Sequence, residues 1–266
     1  MKKSVKDIVK EKYSEIANQV ESENCCSPSS CCSSNKSRCT AMNDNYKELD
    51  GYVPEADLQL GCGVPTIYAG IKEGNVVVDL GSGAGNDAFI ARSLVGESGK
   101  VIGIDMTEKM IQKAKLNNSK LDYNNVEFRL GDIENIPLTN NSTDVVLSNC
   151  VLNLVPDKKK VFAETHRILK KGGHFCISDI VTKGILPEKL KESAELYTGC
   201  IAGAIDEDEY LRIISDAGFS NVEVKVSKKI PLPEEILANY FSQDEIIPFK
   251  NNEVGIFSIT VVGYKI

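Results

Sequence analysis

The sequence predicts a doubly wound α/β fold built around a mostly parallel sheet, with an antiparallel C-terminal strand and a smaller cap. Three observations lead to this prediction. Short apolar segments alternate with helix-like segments between residues 76 and 181, which is typical of βαβ units. Residues 76–78 are all valine, as expected for a strand whose two faces are both covered by helices. A glycine-rich loop at residues 81–85 then separates this strand from the next helix.

The remaining elements continue the alternation. Further strands are predicted at residues 101–104, 126–130, 144–148 and 173–181. Helices are predicted at residues 86–94, 107–120 and 157–169, the last closed by Lys170, Lys171 and Gly172. A helix at residues 206–217 is expected to flank the sheet, and strand-like segments follow at 222–226 and 254–264. We therefore expect the C-terminal part of the chain to complete the sheet.

The N-terminal part differs in character from the rest. Residues 4–20 have the pattern of an amphipathic helix that starts at Ser4 and Asp7. Residues 25–35 are rich in Ser and Cys and cannot form a packed core, so we predict a mobile loop. The predicted organisation is an N-terminal helix and cysteine-rich loop (1–59), a ligand-binding core (60–182, completed by 206–228 and 253–266) and a cap (183–205 and 229–252).

Composition excludes several classes of protein. The 266 residues carry a net charge of −7, whereas nucleic-acid-binding domains are usually basic, so no nucleic-acid partner is expected. Without a long apolar run or an apolar signal segment, we expect a cytoplasmic protein with no membrane partner. The two histidines, His166 and His174, argue against a multi-histidine metal site. Nine cysteines, five of them between Cys25 and Cys39, indicate thiols for a soft ligand or for redox work.

The glycine loop has the context of a nucleoside-binding site. Gly81, Gly83 and Gly85 lie between a strand and a helix, where backbone can approach a ligand without a Cβ in the way. A glycine string alone is equally typical of an ordinary tight turn. Asp105, however, ends the next strand, and a carboxylate there can accept two hydrogen bonds from ribose hydroxyls. The combination favours a nucleoside.

The loop also indicates which nucleoside. Asp79 stands just before it, and its charge disfavours a pyrophosphate but suits the sulfonium and amino group of S-adenosylmethionine. The string at residues 79–85 resembles motif I of the class I methyltransferases, which implies a Rossmann-like sheet. That resemblance implies donor contacts from Asp79, Gly81, Ser82, Gly83, Gly85, Asn86, Asp105, Met106, Asp132, Ile133, Glu134 and Asn149. Taken alone, Asp132 and Glu134 would fit a solvated turn as well.

Three cysteines outside the N-terminal cluster lie at suggestive positions. Cys150 follows the fourth strand at its carboxyl end, where open α/β sheets bind their ligands. Cys62 lies between two glycines, and Cys200 follows Gly199 in the segment after the fifth strand. Each by itself would fit a small buried apolar side chain. The flanking glycines suit close approach of a ligand better than packing.

Longer strings carry a more specific resemblance. Residues 79–87, 99–107, 148–158, 177–181 and 197–204 resemble the arsenite methyltransferases, over about residues 60–219. The resemblance implies transfer of methyl from S-adenosylmethionine to trivalent arsenic, As(III), bound by Cys62, Cys150 and Cys200. The family often has a fourth, upstream cysteine that pairs with the third, and Cys39 is the nearest candidate. It also implies arsenite or its thiol conjugates as substrate, with thioredoxin or glutathione as thiol reductant.

Arsenic chemistry agrees with this composition. Trivalent arsenic is thiophilic, and three thiolates leave it a lone pair that attacks the methyl group without a general base. Two other classes stay open: a quinone- or sterol-type methyltransferase, and a non-catalytic thiol-rich protein that binds metalloids. The pairs Cys25–Cys26 and Cys31–Cys32 either form a metalloid-loading arm or are incidental thiols of a loop.

Overall fold

The described part of the chain forms one seven-stranded sheet with helices on both faces. The computed structural model describes residues 4–22, 46–186, 201, 203–231, 251 and 254–266. Within these ranges the strand order is β3-β2-β1-β4-β5-β7-β6. The strands are β1 (Val76–Leu80), β2 (Lys100–Asp105), β3 (Val126–Leu130), β4 (Thr143–Asn149), β5 (Leu169–Lys183), β6 (Ser220–Lys229) and β7 (Gly255–Tyr264).

The strand directions confirm the predicted sheet. Strands β1 to β5 are parallel, whereas β7 runs antiparallel to both of its neighbours, β5 and β6. β7 lies between two strands and is buried at every position except Tyr264. β1 lies between β2 and β4, so the strand order reverses there. Open α/β sheets bind their ligands at this position.

Helices cover the two faces separately and create two cores. The helices are α1 (Val5–Ser22), α2 (Pro65–Tyr68), α3 (Asn86–Val95), α4 (Glu108–Leu121), α5 (Lys158–Ile168) and α6 (Glu207–Asp216). Val77 of β1 belongs to the core formed with α3 and α4, and Val78 to the core formed with α5 and α6. Both valines are fully buried, which explains the uninterrupted valine run.

The end of α5 differs from the prediction. The helix ends at Ile168 and β5 begins at once with Leu169, so Lys170, Lys171 and Gly172 belong to the strand. The N–H of Gly172 donates to the carbonyl oxygen of Lys265, and the N–H of Lys265 donates to that of Gly173 (2.7 and 2.9 Å). Pairing with the C-terminal residues therefore replaces the helix cap, a long-range contact that local sequence does not show.

The predicted N-terminal helix is α1, and it packs against α4. The Asp7 N–H donates to Ser4 Oγ, and Ser4 Oγ donates to the Asp7 carboxylate, so the two residues cap the first turn reciprocally. Cys25, Cys26, Cys31, Cys32 and Cys39, and with them the predicted mobile loop, lie outside the described residues. No helix in the described ranges combines the length and the apolar character that crossing a membrane requires.

Phe162 of α5 is the expected weak point of one core. Its ring lies 5.7 Å from the rings of Phe175 and Tyr210 and 6.5 Å from that of Phe219. Phe162→Ala leaves a cavity and should lower the free energy of unfolding by about 3–5 kcal/mol in urea denaturation. The control is Leu116→Ala at an exposed position of α4, with an expected change below about 0.5 kcal/mol. Equal effects of the two variants would contradict this packing.

Candidate active site

A cavity opens at the carboxyl ends of β1, β2 and β4, where the strand order reverses. It encloses about 1050 Å³ of empty space, including its open mouth. Its walls come from the glycine loop after β1, the ends of β2 and β4, the turn after β3, and helix α1. The size and position are those of a small-molecule site.

The glycine loop brings backbone to the cavity wall. Gly81 has a φ of +72°, and a Cβ there would lie 2.3 Å from the side chain of Val151. Gly83 has a φ of +52° and lines the cavity. The left-handed backbone at both positions favours glycine. Gly85 is not among the residues that line the cavity. It has a φ of +102°, and its Cβ position lies against the rings of Phe89 and Phe128, so packing also favours glycine there.

Asp105 lies at the end of β2 and is held in place by the backbone. Its carboxylate accepts hydrogen bonds from the N–H groups of Gly83 (3.0 Å) and Thr107 (2.8 Å). Burial raises the pKa of Asp105, although these two hydrogen bonds lower it. A carboxylate has about four lone-pair sites, so acceptor capacity remains on the cavity side. This geometry suits a pair of ribose hydroxyls.

Three buried side-chain oxygens around the loop have no hydrogen-bond partner among the described residues. They are Asp79 Oδ2, Ser82 Oγ and Asn86 Oδ1, and all three residues line the cavity. Burial raises the pKa of Asp79 well above its usual range, and the charges of Asp87 and Asp105 raise it further. Buried polar atoms normally have partners. The cavity therefore suits a ligand that carries positive charge and several hydrogen-bond donors.

The turn after β3 is joined to α1, a role of the helix that the sequence analysis missed. Asp132 and Ile133 line the cavity, and Asp132 accepts a hydrogen bond from the N–H of Glu134. Lys6 forms ion pairs with both Asp132 and Glu134. Glu134 also accepts a hydrogen bond from the N–H of Asp157, so both contacts of its carboxylate described here are with protein groups. Helix α1 thus closes one side of the cavity. No local pattern at Lys6 indicates this.

The side chain of Asn149 joins the cavity to the loop that carries Cys62. Its Oδ1 accepts from the N–H of Cys62 (3.0 Å). Its Nδ2 lies within hydrogen-bond distance of Tyr46 Oη (2.6 Å), the Gly63 carbonyl oxygen (2.8 Å) and Asp87 Oδ2 (3.0 Å). Burial raises the pKa of Asp87 to about 6, although the hydrogen bonds from Asn149 and Tyr46 lower it. Asn149, which was predicted to contact the donor, lines the cavity. The hydrogen bonds of its amide go to other residues of the protein.

Two of the predicted thiols meet beside this cavity. The sulfur atoms of Cys62 and Cys150 and a carboxylate oxygen of Asp179 all lie within 4.8 Å of one another, and all three residues are buried. Cys150 also lines the cavity. Its φ of +60° is unusual for a residue with a side chain, and it turns the chain just after β4. Its N–H donates to the carbonyl oxygen of Ser178 (2.8 Å), which anchors the turn on β5.

Asp179 was not among the predicted site residues. It lies in β5 within the string 177–181, and burial raises its pKa to about 7. Only the register of β5 beside β4 brings it next to the two cysteines. Of the other predicted residues, Met106 lines the cavity, whereas Cys39 and Cys200 lie outside the described residues.

The fold and the glycine loop define the class of protein. A family model described as "Methyltransferase domain" matches residues 71–218. The chain therefore belongs to the methyltransferase-domain proteins.

Three relatives define the family within this class. An arsenite methyltransferase of Halobacterium salinarum is 41 % identical over 229 residues, covering 82 % of this chain and 58 % of that protein. The human arsenite methyltransferase is 39 % identical over 171 residues, covering 60 % of this chain and 44 % of its own length. A crystal structure of an arsenic(III) S-adenosylmethionine methyltransferase from Chlamydomonas reinhardtii has a TM-score of 0.64 and 35 % identity, covering 77 % of this chain and 68 % of that one.

The chain belongs to the arsenite methyltransferase family, whose methyl donor is S-adenosylmethionine. It spans about half the length of the two curated relatives described above. The cavity fits this donor: the three unpartnered oxygens could accept hydrogen bonds from it, and the buried carboxyl groups suit its positive charge. When bound, S-adenosylmethionine supplies a methyl group activated by a sulfonium.

Asp105→Asn should weaken donor binding. The amide removes the carboxylate that would accept hydrogen bonds from the ribose hydroxyls, and hydrogen bonds to charged groups are the stronger ones, so we expect a roughly 10- to 100-fold rise in the Kd for S-adenosylmethionine. Isothermal titration calorimetry measures it. Asp122→Asn, an exposed change at the end of α4, is the matched control and should leave the Kd unchanged. Equal Kd values for both variants would remove Asp105 from the donor site.

Lys6→Met should also weaken donor binding, but less. It removes the ion pairs that join α1 to the turn after β3, and partly exposed pairs are worth little, so we expect a roughly 2- to 5-fold rise in Kd. The rise should shrink as salt concentration increases. Lys10→Met on the same helix serves as control. If the two lysine variants bind the donor equally well, α1 does not close the cavity through Lys6.

Proposed function

We propose that this chain transfers the methyl group of S-adenosylmethionine to trivalent arsenic bound by cysteine thiolates. The observation that carries the proposal is the meeting of Cys62 and Cys150, whose sulfur atoms lie within 4.8 Å of each other. Cys150 is at the same time part of the wall of the donor cavity. A thiophilic substrate bound there lies next to the donor.

Cys62 and Cys150 act as ligands of the substrate in this proposal. Trivalent arsenic prefers soft thiolate ligands to oxygen or nitrogen, and thiolate-bound arsenic keeps a lone pair. The lone pair attacks the methyl carbon in line with the sulfonium sulfur, so an As–C bond forms as a C–S bond breaks. The nucleophile carries no proton, so no general base is needed.

The remaining contribution of the chain is alignment and exclusion of water. Asp105 and Gly83 bind the ribose end of the donor, while Asp79 faces its charged end. Val151 and Leu154 add apolar wall on the side of Cys150. Holding two reactants in line accelerates a transfer reaction without further chemistry from the protein.

Asn149 connects the two halves of the site. It binds the backbone of Cys62 through one end of its amide and Tyr46 and Asp87 through the other. The proposed role of Asn149 is therefore to hold the arsenic ligand in register with the donor cavity, in addition to lining that cavity.

Cys200 is proposed as the third thiolate. Its neighbour Ile201 is buried, and the carbonyl oxygen of Gly203 accepts a hydrogen bond from Lys158 Nζ (2.7 Å). Gly203 also packs on the backbone of Asn153, three residues after Cys150. These contacts of Ile201 and Gly203 are the support for the proposed cap (183–205 and 229–252), most of which lies outside the described residues. Cys39 stays the proposed fourth cysteine.

The substrate form and the reductant are part of the same proposal. Arsenite, or a thiol conjugate of it, enters by exchanging its ligands for cysteine thiolates. Thioredoxin or glutathione would keep these thiols reduced, since only the thiolate binds arsenic. Cys25, Cys26, Cys31 and Cys32 are either a loading arm or incidental, as the sequence analysis left open.

Cys150→Ser tests the proposal directly. The hydroxyl is a poor arsenic ligand, so we expect arsenite methylation, measured as kcat/KM with labelled donor, to fall by about 100-fold or more. The Kd for S-adenosylmethionine should change little. Cys176→Ser is the matched control, because Cys176 is also buried in the sheet but hydrogen-bonds to Pro65. It should retain activity.

The alternatives give other results. A quinone- or sterol-type methyltransferase would keep its activity in Cys150→Ser and would not methylate arsenite. A non-catalytic metalloid-binding protein would bind arsenite without producing any methylated arsenic. Either result would overturn the proposal.

A further inference from the structure

Asp179 is a buried carboxyl group beside the two thiols to which the proposed reaction gives no role. It is completely buried in β5. One oxygen accepts from the N–H of Ile180 (2.9 Å) and the other from the hydroxyl of Tyr210 (3.2 Å). A carboxyl oxygen lies within 4.8 Å of the sulfur atoms of both Cys62 and Cys150. The carboxyl group is thus oriented by the protein toward the sulfur atoms.

A buried lysine also interacts with this carboxyl group. Lys158 of α5 is 9 % exposed, and its charge stabilises the carboxylate form of Asp179. Lys158 itself donates to the carbonyl oxygen of Gly203, so it is fixed in place. Burying a carboxyl group is costly unless its hydrogen-bonding capacity is used. Two protein donors occupy two of about four lone-pair sites, and a thiol is only a weak donor for the others.

Arsenite bound to the two thiols supplies a better hydrogen-bond donor to Asp179 than a thiol does. Two cysteine thiols react with As(OH)3 so that two As–S bonds form and two As–O bonds break. Each thiol proton leaves with a departing hydroxide as water, and nothing is oxidised or reduced. Arsenic held by Cys62 and Cys150 then keeps one hydroxyl, until a third thiol displaces it as water.

We propose that Asp179 hydrogen-bonds this remaining hydroxyl and thereby makes the site selective for arsenite over arsenic that already carries a methyl group. The inference rests on the proposed function and adds a specificity determinant to it. In methylarsonous acid the third position on arsenic holds a methyl group. A hydroxyl pairs with a carboxyl group in either protonation state, whereas a methyl group pairs with neither and leaves the buried carboxyl group unsatisfied.

The test compares the two substrates in one variant. Asp179→Asn keeps the shape but replaces a charged acceptor with a neutral amide. In the Cys200→Ser chain, where arsenic keeps this hydroxyl, we expect the ratio of the Kd for methylarsonous acid to the Kd for arsenite to fall by about 10-fold on this change, mainly through weaker binding of arsenite. Asp179→Glu, which restores a carboxyl group, should recover part of the ratio.

Tyr210→Phe is the control for disturbed packing at the same place. It removes one hydrogen bond to Asp179 but keeps the carboxyl group. Both substrates should then be affected alike, with the ratio within about 3-fold of the parent chain. A purely structural role of Asp179 would weaken the binding of both compounds together in all three variants and leave the ratio unchanged, which would overturn the inference.

A second measurement needs no change at Asp179. With the donor omitted, the chain competes with dithiothreitol for arsenite and for methylarsonous acid, with Cys25, Cys26, Cys31, Cys32, Cys39 and Cys200 replaced by Ser so that Cys62 and Cys150 alone bind the arsenic. The chain should favour arsenite about 10-fold more than the small dithiol does. Equal preference would overturn the inference even if Asp179→Asn does not fold. If the parent chain methylates neither compound, the proposed function fails and the inference fails with it.

Discussion

One side chain, the amide of Asn149 at the carboxyl end of β4, joins the donor cavity to the loop of Cys62. It receives the backbone N–H of Cys62 and reaches Tyr46, Gly63 and Asp87 on its other side. Gly61 must be glycine here, because a Cβ would lie 2.8 Å from the same amide. Ser258 of β7 also donates to the carbonyl oxygen of Cys62, so the loop is held from a second strand as well. The donor cavity and the thiol pair therefore share Asn149 as one of their anchors.

The second constraint on the site is the negative charge of its buried carboxyl groups. Three carboxyl groups, Asp79, Asp87 and Asp105, are buried close together, and burial raises the pKa of each. Such a cluster destabilises the protein when nothing cationic is present, because like charges in a poorly solvated place repel. A cationic donor would offset this repulsion. Cys150 lines the same cavity, so a substrate on the thiol pair, as proposed, would lie next to the activated methyl group.

Much of the fold follows from local pattern. The valine run of β1, the alternation of strands with amphipathic helices and the glycine loop each depend on residues close in sequence, and all were predicted within a few residues. The error at the end of α5 has a clear reason. Gly172 and Gly173 pair with Lys265 at the far end of the chain, and such pairing is invisible to local propensity.

For the site, the sequence by itself determined the chemistry: a glycine loop followed by an acid at the next strand end, and cysteines at strand ends and between glycines. These signals are local because a tight turn or a soft ligand requires particular residue types. Tertiary structure alone decided which groups meet. Local pattern gives Lys6, Tyr46 and Asp179 no site role: Lys6 joins the site through the packing of α1, Tyr46 through its contact with Asn149, and Asp179 through the register of β5. At Gly85 the structure adds a requirement that the motif does not show, because a Cβ there would meet the rings of Phe89 and Phe128.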